Sequence, residues 1–396
     1  MGYVAVKGGE EAIANAARLV EFFRLRGETA PIEVAQIRTQ MRILVDKVMG
    51  EGSLYAPDHA ALALKQMEGD AFEAAFVLRA YRATLSRRYY SDVIATRDMF
   101  VKRRISSAFR DIPGGQILGP TRDYTQRLFD PAVADETPAS AAEFVEAFRQ
   151  ESAADPLPEI EQFSKVIDLL LAEGVMRRDA REESSGQVVD VTRDAVKFPA
   201  PRSAVLQSLA RAETGALMCL GYSTMRGFAA GGHGTVGELR MGEVAVRITD
   251  PRGRKRYIGR ITVTECEMVN SVNPKKKQEA VPYLSIGYGL CFGHNETKAI
   301  CMGMLDSSLR QPNDSNAANS QEFTLYHSEG VESYGFTNHL KLPHYVTFQS
   351  GLDNLRESMD RAKAIRERMF VGVNEAAKAE AVPGMTPDIK VEVTLT

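Results

Sequence analysis

From Glu243 to Thr249 polar and apolar residues alternate, with Val244, Val246 and Ile248 set against Glu243, Arg247 and Thr249. The alternation resumes from Arg256 to Thr264, with Ile261 and Val263, after the turn Asp250-Pro-Arg-Gly253. A period of two fixes strands with two unlike faces, and a short turn makes them antiparallel neighbours. Such a hairpin must cover its apolar face, and the remaining sequence supplies helices to do so. A third strand is expected around Tyr288 to Phe292. Ile13, Ala16, Ala17, Val20 and Phe23, and then Val34, Ile37, Met41, Leu44, Val45 and Val48, recur at helical spacing on either side of Gly27 and Pro31. Further helical stretches run over Pro57–Met67, Asp70–Arg87, Glu159–Glu173, Pro201–Gly227 and Glu296–Leu309. Phe348, Leu352, Leu355, Met359, Ala362, Ile365 and Met369 form a long stripe at near-heptad spacing.

The expected fold class is therefore α+β: a helical N-terminal region, a mixed, mainly antiparallel β core and a long C-terminal helix. The domains expected are a mainly helical region with a Gly-rich loop (1–130), a variable helical insertion with linkers (131–200), an α+β core with a His-rich segment and C-terminal helix (201–370), and a tail (371–396). Pro131–Pro158, rich in Ala, Glu, Asp and Pro, and the charged Arg177–Lys197 segment read as linkers or surface excursions.

Composition removes several classes of function. Lys and Arg number 49 against 52 Asp and Glu, a net charge of −3, so nothing in the overall field suggests a nucleic-acid binder. Any phosphate site must be local. The four cysteines (Cys219, Cys266, Cys291, Cys301) show no CxxC pair, which suits a reducing compartment and excludes a self-contained zinc finger. The N-terminal segment lacks a charged-then-apolar leader and no run of 18 apolar residues occurs, so a soluble, cytoplasmic protein without a membrane partner is expected.

Among the motifs, Gly232-His-Gly-Thr-Val-Gly237 matches GxGxxG, but a dinucleotide site needs a strand before it and a helix after it, the reverse of the order here. Lys7-Gly-Gly-Glu10 lies at a helix start, where Glu10 and Glu11 already complement the dipole, and reads as a turn. No P-loop is present. Seven basic residues between Arg87 and Arg110 lead into Asp111-Ile-Pro-Gly-Gly-Gln-Ile-Leu-Gly-Pro-Thr-Arg-Asp123. Guanidinium forks such as Arg103 and Arg104, beside free N–H groups at Gly114 and Gly115, suit phosphoryl oxygens, although paired or solvated arginines are the commoner outcome. Glu265 and Glu267 lie two apart on a strand, share a face and raise each other's pKa, a feature of acid–base sites and of ordinary strand ends alike.

Three of the six histidines, His327, His339 and His344, fall within eighteen positions. In His339-Leu-Lys-Leu-Pro-His344 the proline prevents a continuous helix, so the imidazoles converge only if the chain turns. Two imidazoles do not complete a tetrahedral zinc shell, so a metal here needs water, His327 or another chain. On composition alone, a structural pair is the simpler reading.

Taken in order, Tyr3-Val-Ala-Val-Lys-Gly-Gly-Glu10, Arg103-Arg-Ile-Ser106, the Asp111–Thr121 loop, Thr264-Glu-Cys-Glu-Met-Val-Asn270, Gly287-Tyr-Gly-Leu290 and His339-Leu-Lys-Leu-Pro-His-Tyr-Val346 resemble the I subunit of the bacterial carbon–phosphorus lyase core complex. The blocks span positions 3 to about 356 in family order. The resemblance implies a cytoplasmic transferase subunit in phosphonate catabolism that acts with G, H and L type partners. Together they displace the purine of MgATP with an alkylphosphonate oxygen to give a ribose 1-phosphonate 5-triphosphate. A separate J subunit, an iron–sulfur radical enzyme, breaks the carbon–phosphorus bond; this chain lacks the three-cysteine motif for that role. The resemblance also places His339 and His344 on a Zn²⁺ shared with the J type partner, in a two-fold hetero-oligomer.

For purine displacement the expected roles are Glu265, Glu267 or Asp123 as the carboxylate beside the ribose, and Arg103, Arg104, Gly114, Gly115 and Lys341 as the phosphate-holding groups. One alternative is a non-catalytic scaffold lending two histidines to the shared zinc. Another is an isolated metal hydrolase using His327, His339 and His344, which lacks a general-base Glu at zincin spacing.

Overall fold

The computed structural model describes residues 9–154, 163–176, 188–228, 234–272, 281–310 and 316–379; at 154, 228 and 374–379 only the backbone is described. Residues 7 and 8 of the Lys-Gly-Gly turn, 232 and 233 of the GxGxxG match, most of the Arg177–Lys197 excursion and positions 380–396 of the tail lie outside these. Two units can be told apart, one over 9–335 and one beginning at Phe336, so that the division falls inside a helix.

In the first unit, α1 (Glu10–Leu25), α2 (Val34–Gln40), α3 (Arg42–Gly52), α4 (Pro57–Gln66) and α5 (Ala71–Thr84) precede β1 (Phe100–Ile105). Then come α6 (Pro138–Ala154), α7 (Val166–Ala172), α8 (Arg202–Arg211), α9 (Thr214–Ser223), β2 (Thr235–Thr249), β3 (Lys255–Val272), β4 (Tyr283–Phe292), α10 (Glu296–Leu309), α11 (Gln321–His327) and α12 (Gly330–His339). The fold is α+β, as the sequence predicts. The hairpin forms and extends well beyond the alternating residues, to 15 and 18 residues per strand. One expectation is corrected. The stretch from Val34 to Val48 is two helices, broken where Met41 leaves helical geometry at φ −109°, ψ 35°. The Pro131–Pro158 stretch carries the 17-residue α6, exposed along its described side chains.

The sheet is antiparallel throughout, in the order β1-β2-β3-β4. On one face Leu239, Cys266 and Cys291 join Ala204, Val205 and Leu209 of α8, Leu217 of α9 and Ala299, Met302 and Leu305 of α10 in the main core. The helix α10 lies against the strands because Gly287 and Gly289 leave room for it: a Cβ on Gly289 would sit 2.1 Å from the carbonyl oxygen of Ala299, and one on Gly287 2.0 Å from that of Gly303. A second core joins α2 through α5 around Val48, Met49, Leu64 and Leu78. Asp70 caps α5 by accepting from the N–H groups of Phe72 and Glu73. The opposite sheet face carries two small apolar clusters, one with α7 and one around Met99, Val244 and Val263. A polar region lies between them.

The second unit contains α13 (Tyr345–Ala379), joined to the end of α12 by a tight turn. Among the described residues no helix is long and apolar enough to cross a membrane.

Replacing Gly289 by Ala is expected to cost about 1–3 kcal/mol or more in urea denaturation, because the methyl group meets helix backbone that cannot move aside. Gly351→Ala, where nothing lies within 4 Å of the added Cβ, is expected to stabilise by about 0.5–1 kcal/mol. Equal effects would contradict the helix-on-glycine packing.

Candidate functional site

Alternation places Arg104, Glu238, Arg240, Glu265, Glu267 and Tyr288 on one face of the sheet, because residues opposite one another in an antiparallel ladder share a face. Arg240 faces Glu265 and Glu238 faces Glu267. Lys165, just before α7, reaches over both carboxylates of β3, 3.2 Å from Glu265 Oε1 and in direct contact with Glu267. Glu265 also accepts from Arg240, from Thr96 Oγ1 at 2.6 Å and from the Tyr288 hydroxyl at 2.8 Å. Glu238 accepts from Arg104 at 2.5 Å and from the Val166 N–H at 3.0 Å. All of this is inside the protein: Glu265 is 1% exposed and Glu267 5%.

The two carboxylates differ in charge state. Burial alone would raise the pKa of Glu265, but Lys165 and Arg240 hold it down to about 2. Burial, with Glu265 and Glu238 alongside, pushes Glu267 up to about 7 in spite of Lys165, and its Oε2 has no hydrogen-bond partner. Glu265 is the fixed negative charge of the stripe.

Arg103 and Arg104 stand on β1 with 0% and 1% exposure. Arg103 points to the other face, where it binds Glu296, Asp123 and the Leu118 carbonyl. Arg104 binds Glu238 and the carbonyls of Pro113 and Ser164. Both guanidinium groups thus grip the Asp111–Asp123 loop and carboxylates. The loop also pairs with β1 through reciprocal Arg104–Ile117 backbone hydrogen bonds. Gly114 and Gly115 adopt φ of 77° and 71°, and the Gly115 N–H is donated to the Ile112 carbonyl. The Asp123 side chain is 42% exposed and accepts from Arg103 and Arg127.

In the second unit, successive backbone bonds from Leu340, Lys341 and Leu342 turn the chain, and the proline-limited hexapeptide brings the rings of His339 and His344 to 5.1 Å between centroids. Nδ1 of His339 meets the Phe336 carbonyl, and Nδ1 of His344 meets the Leu342 carbonyl at 2.6 Å. Donation from Nδ1 leaves Nε2 as the lone-pair nitrogen, the arrangement a metal-ligating imidazole uses. Lys341 is exposed beside them, as are Phe336, Leu340, Tyr345, Val346 and Phe348. His327, in the first unit, stacks on Phe323. Among the described residues no three His, Cys, Asp or Glu side chains gather into a metal-ligand set.

The family described as "Bacterial phosphonate metabolism protein (PhnI)" matches residues 2–362. The chain belongs to this family. A relative from Stutzerimonas stutzeri, named "Putative C-P lyase subunit protein HtxH", is 46% identical over 92% of this chain and 98% of its own length. Two relatives named "Alpha-D-ribose 1-methylphosphonate 5-triphosphate synthase subunit PhnI" are each 42% identical. The one from Rhizobium meliloti (strain 1021) aligns over 95% of this chain and 100% of its own length, and the one from Escherichia coli (strain K12) over 89% and 97%. The PhnI match covers the charged stripe, the loop and the histidine pair alike.

Sequence reasoning singled out Glu265 and Glu267 but missed Lys165, Arg240 and Glu238, which share their network. A signal was present: Glu238-Leu-Arg240 and Glu265-Cys-Glu267 are charged at alternate positions just beyond the 243–249 and 256–264 strands that were expected to pair.

The protonation of Glu267 contributes stability that is complete below the ordinary value of 4.5 and lost as pH rises through about 7. Ionised Glu265 contributes stability present above 4.5 and lost as pH falls through about 2. Glu267→Gln is therefore expected to gain on the wild type between about pH 4.5 and pH 7 in denaturant unfolding and to gain no further above about pH 8, whereas Glu265→Gln is expected to lose about 3–5 kcal/mol at neutral pH by stranding Arg240. A pH-independent Glu267→Gln difference would contradict the assigned charge states.

Proposed function

We propose that the chain is the subunit of a carbon–phosphorus lyase core complex that, with G, H and L type partners, replaces the purine of MgATP by a phosphonate. The reading rests on the end-to-end match to relatives named as ribose 1-methylphosphonate 5-triphosphate synthase subunits. In the reaction a phosphonate oxygen bonds to C1′ of the ribose as the C1′–N9 bond breaks. The bonding pair leaves with the purine, which takes up a proton. Positive charge builds at C1′, and a fixed negative charge nearby lowers that barrier.

Of the carboxylates put forward, Glu265 has that fixed charge and Asp123 has access to solvent; Glu267, raised toward neutrality, has neither and serves to brace Lys165. Arg103 and Arg104 hold the loop rather than the substrate in this reading, because carboxylates and carbonyls already occupy their donors. Gly114 and Gly115 shape that loop, and Lys341 stands at the histidine turn.

His339 and His344 fit a shared zinc: two rings side by side, each oriented through Nδ1, with the remaining ligands to come from a J type partner in a two-fold assembly. Bound there, zinc would supply a structural clamp and Lewis acidity. A second reading, in which the chain is only a scaffold at that contact, draws support from the exposed apolar side chains around the pair, a pattern typical of covered surfaces.

Chain mixed with G, H and L type subunits, MgATP and methylphosphonate is expected to release adenine and form the 5-triphosphate product. His339→Ala and His344→Ala are expected to remove zinc from the chain–J assembly, read by metal analysis, while the isolated chain folds normally. Release of adenine by the partners without this chain would leave it the scaffold role, and full zinc content in both variants would remove the histidines from the metal site.

A further inference from the structure

At one end of the charged stripe the sheet face becomes apolar, and a cavity of about 270 Å³ opens between it, the end of α3, α8 and the 188–194 segment. Ile94, Val244, Ile261, Val263, Leu290 and Phe292 give it apolar walls. The volume lies just below the usual ligand range of about 300–1,000 Å³, so the space suits one ring system and leaves the rest of a larger molecule outside.

Its polar groups are incompletely used. The Ser53 hydroxyl and Arg211 Nε both belong to lining residues, and both are buried atoms without a hydrogen-bond partner among the described residues. Behind Gly50, another lining residue, stands Lys298, which is 1% exposed and whose Nζ also lacks a partner. That ammonium lies 3.4 Å from the point a Cβ on Gly50 would occupy. Unsatisfied buried donors cost about 1–3 kcal/mol each. Two of them on the lining of one cavity, with Lys298 behind Gly50, indicate an occupant that presents acceptors.

The surroundings are cationic. Arg79 and Arg87 are tied to Glu329 and Asp190, but Arg82, Arg193 and Arg211 make no ion pair among the described residues. Arg193 directly follows the lining residue Thr192. Burial and then its neighbour Arg87 lower the pKa of Arg82, and burial and then Arg79 that of Arg211, so these guanidinium groups are close enough to repel one another, with Asp190 offsetting part of that at Arg82 and Glu329 and Glu332 part of it at Arg211. An anion among them relieves that repulsion. The stripe itself adjoins the cavity through Thr96, which lines it and donates its hydroxyl to Glu265.

We propose that this cavity is the nucleobase pocket for a purine nucleoside triphosphate, with Ser53 and Arg211 on the donor side facing ring acceptors, and Arg82 and Arg193 outside it for the phosphates. The inference deepens the function proposed above and rests on it for the identity of the base. A planar heterocycle matches the apolar walls, its ring nitrogens accept hydrogen bonds, and its polyanionic tail suits the unpaired arginines.

Calorimetric titration of the full chain with adenine, ATP and methylphosphonate, each alone and in competition, tests it. Adenine and ATP are expected to compete for one site that methylphosphonate does not touch. Ala210→Phe, which fills the cavity from α8, and Arg211→Gln are each expected to weaken ATP binding by about tenfold or more. Arg82→Ala is expected to weaken ATP but not adenine. Ser53→Ala removes a single hydroxyl and serves as the readout should the bulkier changes disturb folding; it is expected to weaken adenine by about three- to tenfold. Unchanged ATP affinity in folded Ala210→Phe or Ser53→Ala overturns the pocket, as does methylphosphonate displacing adenine. Such a result alongside adenine release by the assembled complex removes the pocket and leaves the function standing. ATP bound in the pocket with no adenine release by the complex removes the function and leaves the pocket.

Discussion

Six ionisable groups, Arg104, Glu238, Arg240, Glu265, Glu267 and Lys165, lie out of water across one face of a four-stranded sheet, and much of the first unit is arranged to keep them paired. Ions so placed lose several kcal/mol each of hydration, and recover it only with close partners in fixed positions. The strand register supplies the partners. It sets Arg240 against Glu265 and Glu238 against Glu267, and α7 is held over them by Lys165 and by the Val166 N–H. The loop from Asp111 to Asp123 is fastened to the same frame through Arg103 and Arg104. A one-residue slip would strand every one of these charges.

This frame separates shape from chemistry. The residue types that look most chemical in the sequence, paired glutamates and a double arginine before a glycine loop, are those most completely consumed by internal contacts. Apart from Glu267 Oε2, the groups without hydrogen-bond partners among the described residues include Lys298 on a helix buried on the other side of the sheet and Ser53 and Arg211 at a cavity, while the two imidazoles of the second unit are oriented through Nδ1. Unsatisfied donors in an otherwise well-paired interior suggest where a ligand completes the structure.

The α+β class, the hairpin and the long C-terminal helix were legible because periodicity survives in single sequences: Val244, Val246 and Ile248 show period two, and Leu352, Leu355 and Met359 helical spacing. Strand β1 was not, since Phe-Val-Lys-Arg-Arg-Ile shows no alternation; its two arginines point to opposite faces and are both buried by long-range carboxylates. The break at Met41 also left no Gly or Pro signal. Of the site, the histidine pair stood out in the sequence, although its convergence depended on a turn that only the structure shows. The cavity did not, because its walls come from residues as far apart as Ser53 and Phe292, and Lys298 reads as an ordinary surface lysine until α10 is seen to be buried.

In this account the 111–123 loop and the two arginines that grip it are framework, Glu265 is the fixed charge of the stripe, and the nucleotide sits beside Thr192 and Arg211. Hydrogen–deuterium exchange of the assembled complex with and without MgATP measures this directly. Slowed exchange in 188–194, 207–213 and the end of α3, with the 111–123 loop unchanged, is the result the account predicts. Protection confined to the 111–123 loop would contradict it.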